Sequence, residues 1–267
     1  MPRPRFVTLT TDIGWAYAAQ IKAVLARRAP RAIVVDITHE IPPQSVRDAA
    51  FLLGRIAPQF PPGTVHLAIV DPGVGGARAA LAVETGDGSF LVGPDNGALS
   101  LAARELGVVH SVRIVPAARA PSATFEGRDV FAPAAASLVT GTRLDRLGPA
   151  HPMHELAFPP PRRSRTGAVG EAVHIDVFGN VITNLPTDAL PPGTESVALR
   201  LARNRRVRLP VRRTYELAEP GSLVLVGSSF GLLEVAERDG SAARRLRIAR
   251  GARVELVWRA PAGGAGK

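Results

Sequence analysis

The apolar run Val65-His66-Leu67-Ala68-Ile69-Val70 passes without a break into Asp71-Pro72-Gly73-Val74-Gly75-Gly76-Ala77-Arg78. Such a run predicts a central strand of a parallel sheet, buried on both faces. Pro72 and the three glycines forbid its continuation and let the backbone approach a ligand closely. In open α/β sheets, ligands bind just beyond the carboxyl ends of the strands. One loop therefore delivers an acid, Asp71, and a guanidinium, Arg78, to the place where chemistry is expected.

The residues around this strand alternate between strand and helix patterns. Strands are predicted over Phe6–Thr10 and Ala32–Ile37, and amphipathic helices over Ala18–Arg28 and Ser45–Ala57, with Ser45 as N-cap. Leu81–Thr85 and Phe90–Val92 read as a hairpin across Gly86-Asp87-Gly88. Leu99–Leu106 and Ala132–Thr140 read as further helices. This order predicts an α/β domain with a mostly parallel sheet, covered on both faces, over residues 1–150.

A segment rich in Pro, Arg and Ser, centred on Pro159-Pro160-Pro161, is expected to be an extended linker over 151–168. Short alternating segments follow: Ala172–Val177, Ser196–Leu201, Arg206–Pro210, Ser222–Val226, Leu232–Val235 and Arg253–Trp258. They predict a smaller all-β, barrel-like domain over 169–260. The tail Pro261–Lys267 is expected to be disordered.

Composition narrows the partners. The chain has 267 residues, 46% of them hydrophobic, enough for a sizeable core in two domains. It contains no cysteine, which rules out disulfides and thiolate metal sites. Met1-Pro2-Arg3-Pro4-Arg5 lacks the apolar core of a signal peptide, and no apolar stretch reaches membrane-spanning length. A soluble, cytoplasmic protein is expected. The formal charge of +10, almost all arginine, invites a nucleic-acid partner. Yet Arg203, Arg205, Arg206, Arg208, Arg212 and Arg213 gather around one predicted hairpin, aromatics make up only 5%, and no recognition-helix, RRM or KH signature is present. A solvated basic face is the expectation, with neither nucleic acid nor membrane as partner.

Several other motifs carry polar groups to loop positions. Asp12, in Thr10-Thr11-Asp12-Ile13-Gly14, follows the first strand and suits a ribose diol; a helix N-cap is the competing role. Gly93-Pro94-Asp95-Asn96-Gly97 is a turn by composition. Asp36-Ile37-Thr38-His39-Glu40 could suggest a metal, but no second ligand cluster has a usual spacing, and His39 reads as a hydrogen-bonded structural histidine. Thr124-Phe125-Glu126-Gly127-Arg128-Asp129 opens a helix with charges that cannot be buried unpaired; a surface ion-pair loop competes. Phe178-Gly179-Asn180-Val181-Ile182-Thr183-Asn184 sets an aromatic ring beside an amide after a strand ending at Asp176. That pair suits adenine, by stacking and by hydrogen bonding; a β-bulge with a buried Phe178 is the alternative.

In order and wording these strings, with Asp-Ile-Thr-His-Glu-Ile-Pro-Pro (36–43) and Gly-Ser-Ser (227–229), resemble the S-adenosyl-L-methionine (SAM) hydrolase (adenosine-forming) family. Its members are also called SAM hydroxide adenosyltransferases and are relatives of the fluorinases and chlorinases. The resemblance covers nearly the whole chain. It implies hydrolysis of SAM to adenosine and L-methionine, with no metal and no cofactor, SAM itself being the substrate. Residue by residue, it implies Asp12 on the ribose diol, and Asp71 and Arg78 as two thirds of a water-activating group. Phe178 and Asn180 take the adenine, Asp176 the methionine ammonium, Ser228 and Ser229 the methionine carboxylate, and the Ser241-Ala242 backbone the adenine edge. It also implies a homotrimer in which the α/β domain of one subunit and the β-domain of its neighbour share each ligand.

Two departures stand out. The family's third water-activating residue is a histidine, and Glu126 occupies that slot. The loop after Asp12 is two residues shorter and lacks a second acid before Tyr17. Arg78 beside Asp71 makes that acid an orienter of water rather than a base. Repulsion between Glu126 and Asp71 is expected to make Glu126 the proton acceptor. Two carboxylates at the attack position would repel a halide, which disfavours a halogenase. A protein that binds adenosine or SAM without turnover is the alternative from another class.

Overall fold

The computed structural model describes residues 5–116, 122–201 and 205–259. The chain divides into two compact units, Met1–Ala157 and Phe158–Lys267.

The N-terminal unit is a six-stranded sheet between two layers of helix. In chain order it holds β1 (Phe6–Thr11), α1 (Gly14–Arg28), β2 (Ile33–Thr38), α2 (Val46–Ile56), β3 (Val65–Ile69), β4 (Ala80–Thr85), β5 (Phe90–Pro94), α3 (Ser100–Leu106), β6 (Val108–Arg113) and α4 (Ala132–Val139). The strand order is β2-β1-β3-β5-β4-β6. β1 runs parallel to β2 and β3, and β3 parallel to β5, while β4 is antiparallel to both its neighbours. Every residue of β3 is buried, as its unbroken apolar run requires of a strand covered on both faces. On one face, Ile21, Val24 and Leu25 of α1 join Ala135 and Leu138 of α4 in a core with Val7, Leu9 and Leu67. On the other, Leu53 packs with Leu99 and Ala102. A Cβ at Gly54 would lie 2.6 Å from that of Leu101, so only glycine allows α2 and α3 this close.

This connectivity positions the site. The chain leaves β1 for β2 on one side and returns past β1 to β3 on the other, so the strand order reverses between β1 and β3. Ligands of doubly wound sheets bind at that switch point, outside the carboxyl ends of the strands. Thr11 and Ile69 are register partners there. Asp12 and Asp71 therefore emerge from adjacent strands.

The C-terminal unit is an all-antiparallel sheet of eight strands: β7 (Arg162–Ser164), β8 (Gly167–Ile175), β9 (Val181–Pro186), β10 (Ser196–Arg200), β11 (Arg206–Pro210), β12 (Leu223–Gly227), β13 (Leu232–Glu237) and β14 (Arg253–Val257), with a short helix α5 (Ala242–Leu246). The order is β11-β10-β14-β8-β9-β13-β12, with β7 beside β8. A bridge between Val211 and Leu225 brings the two ends together, which nearly closes a barrel around Leu185, Leu199, Leu225, Val235 and Leu256.

Some elements differ from their sequence reading. Residues 162–164, inside the segment read as an extended linker, pair with β8, because an extended chain has its N–H and C=O groups free to add an edge strand. β6 and β9 were not read as strands. β6 is a largely exposed edge strand with little apolar alternation, and β9 begins inside the 178–184 string, which reads as an adenine-binding ring and amide or as a bulge. α1 starts four residues earlier than its periodicity predicts, because Gly14, at φ 71°, turns the chain into the helix and donates its N–H to the His39 carbonyl at 3.2 Å. Ser45 occupies the N-cap position of α2 but makes no side-chain cap; its hydroxyl donates to Asp48 instead. The tail read as disordered lies outside the described residues.

Candidate active site

Past β3 the chain makes two tight turns, Val74 N–H to the Asp71 carbonyl (3.3 Å) and Gly76 N–H to the Gly73 carbonyl (3.0 Å), before β4 begins. The turns fold Arg78 back onto Asp71: Nε donates to both carboxylate oxygens at 3.0 and 3.1 Å, and Nη2 makes a further short bond to Oδ2. The same Nη2 donates to Glu126 Oε2 at 2.5 Å. Glycine allows the second contact. Gly75 has φ 73°, and a Cβ there would fall 2.7 Å from the Ala123 carbonyl oxygen, so the loop can press against the segment that carries Glu126.

Glu126 precedes a single π-turn, Gly127–Phe131, that leads into α4. Such turns are enriched at functional sites because they displace side chains from the helical repeat. Here the turn buries Gly127 against Ile69 and Ile21 and sets the Phe131 ring 5.4 Å from the Arg78 guanidinium. The three charged side chains are only 7% (Asp71), 13% (Arg78) and 19% (Glu126) exposed. Burial works against the charge on Arg78, but its bonds to Asp71 and then Glu126 outweigh it and raise its pKa above the ordinary value. The sequence expectation of two carboxylates in direct repulsion is corrected on this point. A guanidinium nitrogen bridges them, so their repulsion is offset inside the cluster.

Asp12 does not cap α1, whose N-cap is Ile13. Its Oδ2 accepts the Gln44 N–H at 2.8 Å, holding Gln44 at φ 65°, and leaves Oδ1 without a bond from that turn. Asn96 donates to the Val70 carbonyl at 2.9 Å and accepts from the Ala98 N–H at 3.1 Å, so it pins the strand end that presents Asp71. His39 is buried, bonded to Thr11 Oγ1 at 3.0 Å and 3.1 Å from Asp36 Oδ1. It is a structural histidine, as its sequence context suggests. Arg128 and Asp129 pair with each other, and Asp129 accepts the Ser122 N–H at 3.1 Å, which closes the loop before the π-turn. Among the described residues, no group of three or more His, Cys, Asp or Glu is arranged to hold a metal ion.

In the C-terminal unit, Asp176 organises a separate constellation. Its Oδ1 accepts the Phe178 and Asn180 N–H groups at 3.0 and 2.8 Å, and its Oδ2 accepts Asn180 Nδ2 at 2.9 Å. The loop so held leaves Val177 88% and Phe178 73% exposed. The alternative of a bulge with a buried Phe178 is thereby excluded, since the ring points out of the unit. A Cβ at Gly179 (φ 85°) would strike Ser241 Oγ at 2.0 Å, so glycine seats this loop on the turn before α5. Ser241 itself caps α5, accepting the Arg244 N–H at 3.3 Å, and both Ser241 and Ala242 are buried. Ser228 and Ser229 form the turn between β12 and β13, where Ser228 Oγ accepts the Phe230 N–H at 3.3 Å and Ser229 is exposed.

Two family models match the chain: the SAM hydroxide adenosyltransferase N-terminal domain over residues 7–148, and the corresponding C-terminal domain over 170–255. The chain belongs to the SAM hydroxide adenosyltransferase family. Among its relatives, an (R)-S-adenosyl-L-methionine hydrolase from Thermus thermophilus is 43% identical, covering 90% of this chain and 94% of that protein. Another of the same name from Salinispora arenicola is 40% identical over 94% of this chain and 97% of its own length. The crystal structure of an uncharacterized conserved protein from Thermotoga maritima superposes with a TM-score of 0.88 at 36% identity, covering 94% of this chain and 99% of that one.

Within this member of the family, Asp71, Arg78 and Glu126 form one bonded cluster, and Asp12 leaves the neighbouring strand. Asp176, Phe178, Asn180, Ser241 and Ala242 form a second group, held by backbone bonds. Sequence reasoning missed the supporting residues: Asn96, Gln44 and Phe131. The string Gly-Pro-Asp-Asn-Gly did signal Asn96, but as a turn residue. Nothing local marks Gln44 or Phe131, whose roles depend on contacts over 32 and 53 residues of sequence.

Proposed function

We propose that the protein hydrolyses SAM to adenosine and L-methionine by in-line attack of water on C5′ of the nucleoside. The observation that carries this reading is the buried Asp71–Arg78–Glu126 cluster at a strand switch point, in a family whose similar members are named SAM hydrolases. The leaving sulfonium departs as a neutral thioether, so no acid is needed on that side. The C–S bond electrons go to sulfur, a water oxygen forms the new bond to C5′, and the water's proton must be taken up.

The cluster suits that remaining task. Asp71 orients the water, Arg78 stabilises its developing hydroxide character, and Glu126 accepts the proton. Holding water in line with the C–S bond supplies part of the barrier reduction, about 7–11 kcal/mol in the best intramolecular cases. Asp12 takes the ribose diol, Phe178 and Asn180 the adenine, with the Ser241-Ala242 backbone at its edge. Asp176 takes the ammonium, and Ser228 and Ser229 the carboxylate. This division assigns ribose and water to residues 1–150, and adenine and methionine to 169–260. SAM is the substrate and no cofactor takes part.

The proposed assembly is a homotrimer in the cytoplasm. Among the described residues, no helix is long and apolar enough to cross a membrane. The exposed Phe178 and Val177, and in the other unit Trp15 and Tyr17 at 56% and 55% exposure, favour faces covered by ligand or partner subunit. The assembly is checked by light scattering with activity: a fully active monomer rejects it.

The activity is tested by incubating purified protein with SAM and separating the products. Adenosine and methionine in equal amounts are expected; intact SAM, bound but not turned over, would leave a non-catalytic binding protein. The role of Glu126 is tested by the pH–rate profile of wild type and Glu126→Gln. Equal rates across pH 5–9 remove Glu126 from the reaction.

A further inference from the structure

One buried carboxyl in the C-terminal unit has no part in the reading above. Glu234, in the middle of β13, is 3% exposed and accepts a hydrogen bond from the Tyr215 hydroxyl at 2.6 Å. Register relates it to the Asp176 loop. Glu234 is opposite Ile182 on β9, which is opposite His174 on β8. Opposed residues of antiparallel strands point to the same face, and so do residues two apart on one strand. Asp176 follows His174 by two, and its N–H bonds to the Asn180 carbonyl at 3.2 Å, which prolongs the pairing of β8 with β9. Asp176, Asn180 and Glu234 therefore share one face of the sheet.

Among the described residues, the strands on either side of Glu234 offer it no cation. β12 offers only aliphatic residues and glycine, and β9 has no charged residue. α5 packs on β13 and carries Arg244 and Arg245, of which Arg245 pairs with Glu237 at 2.7 Å. The groups that act on Glu234 are Tyr215 and Asp176, with His174 two strands away in the same row. Burial is the largest influence and raises the Glu234 pKa; the Asp176 charge raises it further, and the Tyr215 bond works against both. Burial and the neighbouring Asp176 charge both favour the neutral form of this carboxyl, and a cation nearby would favour its anion.

We propose that Glu234 is a positioning residue for the ammonium end of the substrate, acting through Asp176, and that it releases its proton to solvent when the ammonium binds. The inference rests on the reading that Asp176 receives the ammonium. The bound cation offsets the repulsion that keeps Glu234 neutral, and two carboxylates then share one positive charge. Adenosine, which lacks the ammonium, leaves the proton in place. The device makes affinity for the amino-acid end rise with pH, while affinity for the nucleoside end does not.

The test is titration calorimetry in buffers of differing ionisation enthalpy, with S-adenosyl-L-homocysteine as the probe. This thioether carries both ends of the substrate and has no sulfonium to lose. Buffer-dependent heat, equivalent to release of up to one proton per site, is expected for the thioether and not for adenosine. Glu234→Gln should abolish the release and weaken the thioether by about tenfold, with adenosine affinity unchanged as proof of folding. Tyr215→Phe, which removes a donor that favours the Glu234 anion, should move the release to higher pH. If the thioether binds without proton release, or release survives in Glu234→Gln, the inference falls while the ammonium site stands. If the thioether binds wild type no better than adenosine, the reading of Asp176 falls, and the inference with it.

Discussion

In the N-terminal unit, Asp71, Arg78 and Glu126 hold one another, and none of the three exceeds 19% exposure. In the C-terminal unit, Phe178 stands 73% exposed on a loop that Asp176 clips through backbone N–H groups. The first group is preorganised by charge: each member needs the others to remain buried. The second is preorganised by the main chain, so its exposed ring is free of the bonds that shape the loop. A site that must stabilise developing charge gains from the first design, and one that must stack a planar ring gains from the second.

The largest expected effect breaks the first group at its centre. Arg78→Met removes the cation between two carboxylates, and adenosine formation should fall by about 10²–10³-fold, as on loss of a preorganised donor. The melting temperature should fall too, because two partly buried carboxylates then face each other. Loss of activity with unchanged melting would show that the cluster does not hold itself together.

Next is pH, where the two units should respond with opposite sign. His66 is fully buried against Thr8 Oγ1 (2.9 Å), and burial pushes its pKa from 6.5 down to about 4. Between those values the unfolded chain binds the proton and the folded one does not, so N-terminal stability is complete above 6.5 and falls as pH drops toward 4. The loss amounts to about 3 kcal/mol. Glu234, raised by burial, binds its proton in the folded state instead; its contribution is present at low pH and is lost as pH rises above the usual glutamate range. The chain has two tryptophans, Trp15 in the first unit and Trp258 in the second. Denaturant midpoints of the single-tryptophan variants Trp15→Phe and Trp258→Phe therefore report each unit, and parallel pH curves would contradict the contrast.

A smaller effect sharpens the second design. Phe178→Ala should raise KM for SAM by about 10–100-fold, the worth of about 1–3 kcal/mol of base stacking. It should leave kcat nearly unchanged and stability within about 0.5 kcal/mol, as for exposed positions. The least effect is expected at the strand-end anchor. Asn96→Ala removes two hydrogen bonds, worth about 1 kcal/mol each, and should lower kcat through Asp71 more than it raises KM. An equal effect on both would assign Asn96 to the fold alone.

Much of this was legible in the chain. The buried run of β3 ending in Pro and Gly announced both the central strand and the loop that carries Asp71 and Arg78. The alternation of strand and helix announced the sheet order's class, and the short alternating segments the barrel. What stayed hidden depended on distant partners. β6 and β9 gain their strand character from neighbours rather than from apolar periodicity. Glu126 read as a free base opposing Asp71 until the position of Arg78 Nη2 was known, and Phe178 alone read more naturally as a core residue.

The sequence by itself determined where the backbone must stop, turn and approach closely, because Pro and Gly act through local sterics that need no partner. It also determined which acids and bases follow each strand. Only the tertiary structure decided which charges share a proton donor, which ring is left in water and which carboxyl is buried against a tyrosine hydroxyl. Those outcomes depend on Coulomb and desolvation energies between groups far apart in sequence, and such energies exist only once the chain has brought the groups within a few ångströms.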